Sequence, residues 1–226
     1  MHDDFDSLKW TNWRHYDNAN ELKRGSMPNT RFGSATQLYF NTIYSGVFLK
    51  FLTEMTGVKG LVTDPEFHGG GLHDIPAGGK FGMHIDFNQH PITKLANRFV
   101  LITYLNKDWA PSYGGALELW DVDEQTCKVA VEPTFGRTVL FYQSSRSLHG
   151  HPKPVNTPNG RTRRSAAAYF YTNGRADEDS SEFHTTLFPV SIKLSQRDRA
   201  VNAAKYLLPP VVFDAGRKLK AMLRRR

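Results

Sequence analysis

One cysteine stands in the 226 residues, Cys127, so the chain has neither an internal disulfide framework nor a cysteine-built zinc cluster. That usage fits a reducing compartment. The opening segment MHDDFDSLKW is acidic and lacks an apolar core, so no secretory signal is read there and a cytoplasmic location is the expectation. No run approaches the roughly 18 apolar residues of a membrane-spanning helix. The triple glycine of HGGGLHD (68–74) is not followed by Lys-Ser or Lys-Thr, which excludes a phosphate loop and suggests a hinge or bulge. Internal repeats and low-complexity segments are also absent.

A basic body is missing too, despite a formal net charge of +7. From Lys193 onward ten Lys/Arg face two Asp, whereas residues 1–192 hold nineteen Lys/Arg and twenty Asp/Glu. The near-neutral body argues against a nucleic-acid groove in the core. The tail ends GRKLKAMLRRR; it reads first as a solvated basic helix end, and second as a contact for an acidic partner, nucleic acid or an anionic membrane surface.

What is present fits one domain with a sizeable core. Residues 36–56 carry Phe40, Ile43, Tyr44, Val47, Phe48, Phe51, Leu52 and Met55 on one broad helical face, with Ser34 as N-cap and Gly57 as stop. From about 68 to 172 short β-rich runs follow one another: GMHIDF, RFVLITYL, GALELW, KVAVEP, RTVLFY and SAAAYFYT. Their spacing predicts an all-β sandwich or barrel. The organisation is therefore mainly β with flanking helices: an N-terminal helical support region (1–67), a β core (68–172), and a loop with a basic helical extension (173–226). Within that extension 195–207 and 211–224 read as helices broken by Pro209-Pro210. Trp10, Trp13 and Tyr16 read as packing on the barrel, and 57–80 and 173–190 as loops shaping an entrance.

Strand alternation aims His84 and Asp86 at one face, two ligands of a three-point site. A 2-His-1-carboxylate triad for non-haem Fe(II) needs one more histidine. His149 and His151, in SLHGHPKPV, both qualify, and alternation does not separate them. A hydrogen-bonded His–Asp pair in a core would explain the HxD pattern about as well. His68, His73 and His90 lie in turn-rich sequence and read as non-ligands. In RTRRSAAAYFYT, alternation puts Arg161, Arg163, Ser165, Ala167, Tyr169 and Tyr171 together, and an inward arginine among alanines calls for an anion.

The order HxD, His, then Arg on a following strand resembles the Fe(II)- and 2-oxoglutarate-dependent dioxygenases, in their prolyl 4-hydroxylase-like branch. RFVLITYLNKDWAPSYGGALELW resembles the family's strand, Tyr-Leu-Asn, Trp and paired glycines. VEPTFGRTVLFYQSSRSLHGHPKPV resembles its turn, strand and distal histidine. The resemblance implies a double-stranded β-helix (jelly-roll) core, with His84, Asp86 and His149 as iron ligands. Arg163, six residues before the aromatic Tyr169, matches the arginine that holds the cosubstrate, with Tyr104 beside it. Ala167 stands where some relatives carry threonine. The implied cofactors are Fe(II), with 2-oxoglutarate and O2 as cosubstrates and ascorbate as a reductant. Related halogenases lack the carboxylate, so Asp86 implies hydroxylation or another oxygen-derived outcome. The partner is a small-molecule or peptidyl substrate, left unidentified: an amino acid, a peptidyl residue such as proline, or a biosynthetic small molecule. Two rivals stay open: a cupin-like metal enzyme without 2-oxoglutarate, and a non-catalytic jelly-roll binding module. Neither needs Arg163 or Tyr104.

Overall fold

The structure is a computed structural model that describes residues 1–158, 160–175 and 182–189. A short helix α1 (Asp4–Ser7) precedes strands β1 (Trp13–Asp17) and β2 (Leu22–Ser26), then helices α2 (Ser34–Ile43) and α3 (Gly46–Thr56). Nine strands follow: β3 (Val62–Thr63), β4 (Gly71–Ile75), β5 (Phe81–His84), β6 (Ala96–Tyr104), β7 (Leu117–Asp121), β8 (Thr126–Val131), β9 (Thr138–Tyr142), β10 (Leu148–His151) and β11 (Arg163–Thr172). They form two antiparallel sheets. The larger runs β1-β2-β4-β11-β6-β9, with β3 also on β11, and the smaller runs β5-β10-β7-β8. The four-stranded sheet and β4-β11-β6-β9 make the jelly roll; β1 and β2 widen the larger sheet at one edge.

Alternation along the two central strands explains why the larger sheet has two different faces. In β11, Ala166, Ala168 and Phe170 join Phe99 and Leu101 of β6 in the main apolar core. Arg163, Ser165, Ala167 and Tyr169 of β11, with Val100 and Ile102 of β6, face a cavity between the sheets. Phe40 and Ile43 of α2 and Leu52 of α3 close that core, each such side chain contributing roughly 1.5–3 kcal/mol of burial.

Several expectations need correction. The helix expected over 36–56 is two helices. The chain breaks at Tyr44, and Ser45 caps the second helix by accepting the Phe48 N–H at 3.3 Å. Ser34 is the first residue of α2, not its N-cap. Gly57 does stop α3, at φ 75°, in the left-handed conformation glycine tolerates. The expected face splits as well: Phe40, Ile43 and Leu52 are buried, but Val47, Phe51 and Met55 are exposed. The region 1–67 is not only helical, since it supplies β1 and β2. Trp13 is buried in the core and stacks on Phe5, whereas Trp10 is exposed on His15. Within 57–80, β3 and β4 are strands rather than loop, and HGGG leads directly into β4. The helices expected at 195–207 and 211–224, and the basic tail, lie outside the described residues. Among the described residues no helix is long and apolar enough to cross a membrane.

Candidate metal centre

His84 ends β5 and His149 lies in β10, and these two residues are directly paired across the antiparallel ladder. Asp86 follows two residues after His84. The three are 1%, 3% and 4% exposed for His84, His149 and Asp86. His84 Nε2 is 3.4 Å from Asp86 Oδ1, and His149 Nε2 is 3.5 Å from Asp86 Oδ2. The tautomers follow from the other ring nitrogens. His84 Nδ1 is 2.8 Å from the Gly82 carbonyl and His149 Nδ1 is 2.8 Å from the Ser147 carbonyl, so each carries its proton there. Burial and the neighbouring His149 push the His84 pKa down to about 4, so its ring is neutral near pH 7. Nε2 then presents a lone pair toward a carboxylate. Lone pairs facing a buried carboxylate repel unless a cation stands between them. His84 Nε2 is itself buried without a hydrogen-bond partner. Cis ligands each about 2.1 Å from a metal stand roughly 3 Å apart, close to the spacing seen here. The donor set of two imidazoles and one carboxylate fits Fe(II) with open positions.

Supporting groups converge from distant strands. The Tyr169 hydroxyl donates to Asp86 Oδ2 at 3.0 Å, and Gln143 Nε2 donates to the Asp86 carbonyl at 3.3 Å. Phe81 stacks on His84 at 3.7 Å between ring centres, and Phe141 meets His149 edge-on at 4.7 Å. Leu187 pairs its backbone with Ile85 (2.8 and 2.9 Å), which brings Phe188 to 5.8 Å from His84. Part of the stretch 173–190 therefore does flank the site.

Arg163 enters the same cavity as His84, Asp86 and His149. Its Nε donates to the Gly115 carbonyl at 2.7 Å and its Nη2 to the Tyr104 hydroxyl at 3.3 Å. Burial lowers the Arg163 pKa while Tyr104 opposes the shift. Tyr104 is fully buried and touches Arg163; it is not on the cavity wall. Arg161 lies instead over Trp109 and Tyr113 at 6.0 and 5.6 Å, outside the cavity lining. His151 lines the cavity, but the Asp86 carboxylate faces His149.

Asp64, His68 and His90 form a second cluster of metal-capable groups. Its chemistry differs. His90 Nδ1 accepts the N–H groups of Ile92 and Thr93 at 3.2 and 3.1 Å. The proton therefore sits on Nε2, 3.3 Å from Asp64, and a protonated nitrogen is no ligand. This cluster is a hydrogen-bonded loop anchor: Asp64 accepts the N–H groups of Glu66 and His68.

Sequence reasoning missed Lys23 and His73 on the cavity wall, and the Tyr169 and Gln143 bonds to Asp86. Lys23 had no signal, because LKRGS shows no apolar alternation.

Residues 70–171 match the model of the 2OG-Fe(II) oxygenase superfamily. Among solved structures the chain is similar to a Trichoplax adhaerens prolyl hydroxylase, in complex with a hypoxia inducible factor oxygen degradation domain peptide fragment. That match has 24% identity and a TM-score of 0.36, over 44% of this chain and 41% of that one, under half of the relative's length. A Pseudomonas putida prolyl-4-hydroxylase has 19% identity and a TM-score of 0.46, over 73% and 79%. The viral collagen prolyl hydroxylase of Paramecium Bursaria Chlorella virus-1, in its 2OG complex, has 15% identity and a TM-score of 0.44, over 69% and 81%. No curated protein matches the sequence.

Proposed function

We propose, from the match of residues 70–171 to the 2OG-Fe(II) oxygenase superfamily model, that the chain is a member of that superfamily and couples oxidative decarboxylation of 2-oxoglutarate to hydroxylation of a small-molecule or peptidyl substrate. The observation that carries the reading is the convergence of two imidazole lone pairs and one carboxylate on the wall that also holds Arg163. Fe(II) bound there, with 2-oxoglutarate as electron donor, would supply the dioxygen activation and hydrogen abstraction of a hydroxylase. His84, Asp86 and His149 would hold the metal. Arg163 binds the far carboxylate of 2-oxoglutarate. Its guanidinium is oriented beforehand by Gly115 and Tyr104, so little ordering remains when the anion arrives. Phe81, Val100, Ile102, Leu117 and Ala167 line the cavity with apolar surface, which limits water and side reactions.

Arginine substitutions test this reading against a cupin-like metal enzyme, which has no use for a cosubstrate arginine. Arg163→Ala should weaken 2-oxoglutarate binding at least roughly 30-fold, the loss expected for one partner of a buried charge pair. Metal binding should stay unchanged. Arg161→Ala should behave as the unaltered protein. Succinate formation and metal titration on the same preparations read both effects. Indifference of Arg163→Ala to 2-oxoglutarate would favour the cupin-like alternative.

A further inference from the structure

One histidine on the cavity wall is left unused by the reaction above. His151 lies two residues beyond His149 in β10, so the two imidazoles share a face, and both line the cavity with Arg163. Across the ladder His149 pairs with His84, whereas His151 pairs with Phe81, roughly 7 Å farther along the strand by its ordinary rise. That direction leads toward Arg163. On the other side of β10, Gly150 pairs with Glu118 of β7, close in the chain to the Gly115 carbonyl that holds the guanidinium. His151 is 3% exposed, and neither of its ring nitrogens has a hydrogen-bond partner. The Lys153 backbone approaches the ring outside hydrogen-bond geometry. Burial, then the Arg163 and Lys23 cations, hold its pKa well below the ordinary histidine value, so the ring is neutral and carries one N–H. Other basic groups of the wall are engaged: Lys23 pairs with Glu21 at 3.2 Å, and His73 Nε2 meets the Gly69 carbonyl at 3.2 Å.

Arg163 has spare donors at the same place. Two of the five N–H groups of its guanidinium are taken, by Gly115 and by Tyr104, and none bonds to His151. A buried imidazole and a buried guanidinium thus line one cavity with free donors and no bond between them. Such a pair suits a shared acceptor with two oxygens, and a carboxylate accepts up to about four hydrogen bonds. We propose that His151 is a further cosubstrate-binding residue, donating its ring N–H to the far carboxylate of 2-oxoglutarate beside Arg163. The proposal rests on the oxygenase reading and adds a residue to its cosubstrate site. Leaving a buried donor unmet is costly, and the carboxylate meets it. Neighbouring groups offer it less: Ala167 on the same wall has no donor, and the Tyr104 hydroxyl is off the wall. With donors on two sides the carboxylate is held in one orientation, which directs the keto acid end toward His84, Asp86 and His149.

The test titrates 2-oxoglutarate anaerobically into the Fe(II)-loaded full chain and reads Kd from the metal-to-ligand charge-transfer band. The second probe is 2-oxopentanoate, which keeps the chain length and the keto acid but ends in a methyl group. His151→Leu should raise the Kd for 2-oxoglutarate roughly 10- to 100-fold, the loss of one hydrogen bond to a charged group. Its Kd for 2-oxopentanoate and its affinity for Fe(II) should stay unchanged. His151→Gln, whose amide keeps an N–H donor, should recover most of the loss. With Zn(II) in place of iron, proton NMR of the unaltered protein should show one further imidazole N–H protected from exchange once 2-oxoglutarate binds, and none with 2-oxopentanoate. The proposal is overturned if His151→Leu binds 2-oxoglutarate like the unaltered protein, or if it weakens both keto acids or Fe(II) alike. It is equally overturned if His151→Gln is no better than His151→Leu, or if no imidazole N–H becomes protected. The NMR reading needs no variant, so it holds even where His151→Leu fails to fold. An unaltered protein that forms no band fails the oxygenase reading itself, whereas a band to which His151→Leu is indifferent fails this assignment alone.

Discussion

Two backbone carbonyls, those of Gly82 and Ser147, decide what the imidazoles of His84 and His149 can do. By taking the Nδ1 protons they turn both Nε2 lone pairs toward Asp86. The Asp64 cluster shows the converse, because backbone N–H groups on His90 Nδ1 leave its Nε2 protonated. The HxD pair was legible in the sequence, since alternation needs only neighbouring residues. The groups that hold Asp86 were not, because Gln143 and Tyr169 lie 57 and 83 residues away in the chain. Removal of such an outer contact typically costs 10- to 100-fold in metal affinity. Tyr169→Phe, which keeps the ring and deletes only the hydroxyl, should therefore weaken Fe(II) binding by about that factor. Competition with a chromogenic chelator measures it, and unchanged affinity would remove Tyr169 from the site.

Elements carry the ligands into register, and β10 is the most constrained of them. A Cβ on Gly150 would stand 2.6 Å from the Gly82 carbonyl and 2.9 Å from the Phe81 carbonyl, both backbone atoms of the β5 region. Gly150→Ala should thus push β10 off β5, separate His149 from His84, and cost roughly 1–3 kcal/mol as an overpacked interior. Urea unfolding together with metal titration checks both consequences. Glycine here serves close approach, which single-sequence reading does not reveal. LHGH stands outside the β-rich runs read from the sequence, and its four buried residues show no polar alternation. β6, β7, β8, β9 and β11 were legible, because their β-branched and aromatic runs are bounded by turn residues. The helix break at Tyr44–Ser45 was not, since the apolar period continues across it while Ser45 restarts the helix with its own cap.

For the whole molecule, the buried basic groups of the cavity set a dependence on acid. His73 and His84 are both pushed by burial to about 4, below the ordinary histidine value. Between about pH 6.5 and 4 the unfolded chain then binds more protons than the folded one, so stability falls as pH drops through that window. Each group contributes up to about 3 kcal/mol. The metal-free protein should accordingly unfold at clearly lower urea at pH 4.5 than at pH 7. A flat profile would mean these imidazoles are hydrated in the folded state.

The central claim is that His84, Asp86 and His149 hold Fe(II) beside a site for 2-oxoglutarate. Anaerobic addition of Fe(II) and then 2-oxoglutarate to the metal-free protein tests it most directly, read as the visible metal-to-ligand charge-transfer band of the chelate. The account predicts that the band appears and vanishes in His84→Ala. Iron binding without a band would contradict the cosubstrate site, and no iron binding would contradict the metal centre itself.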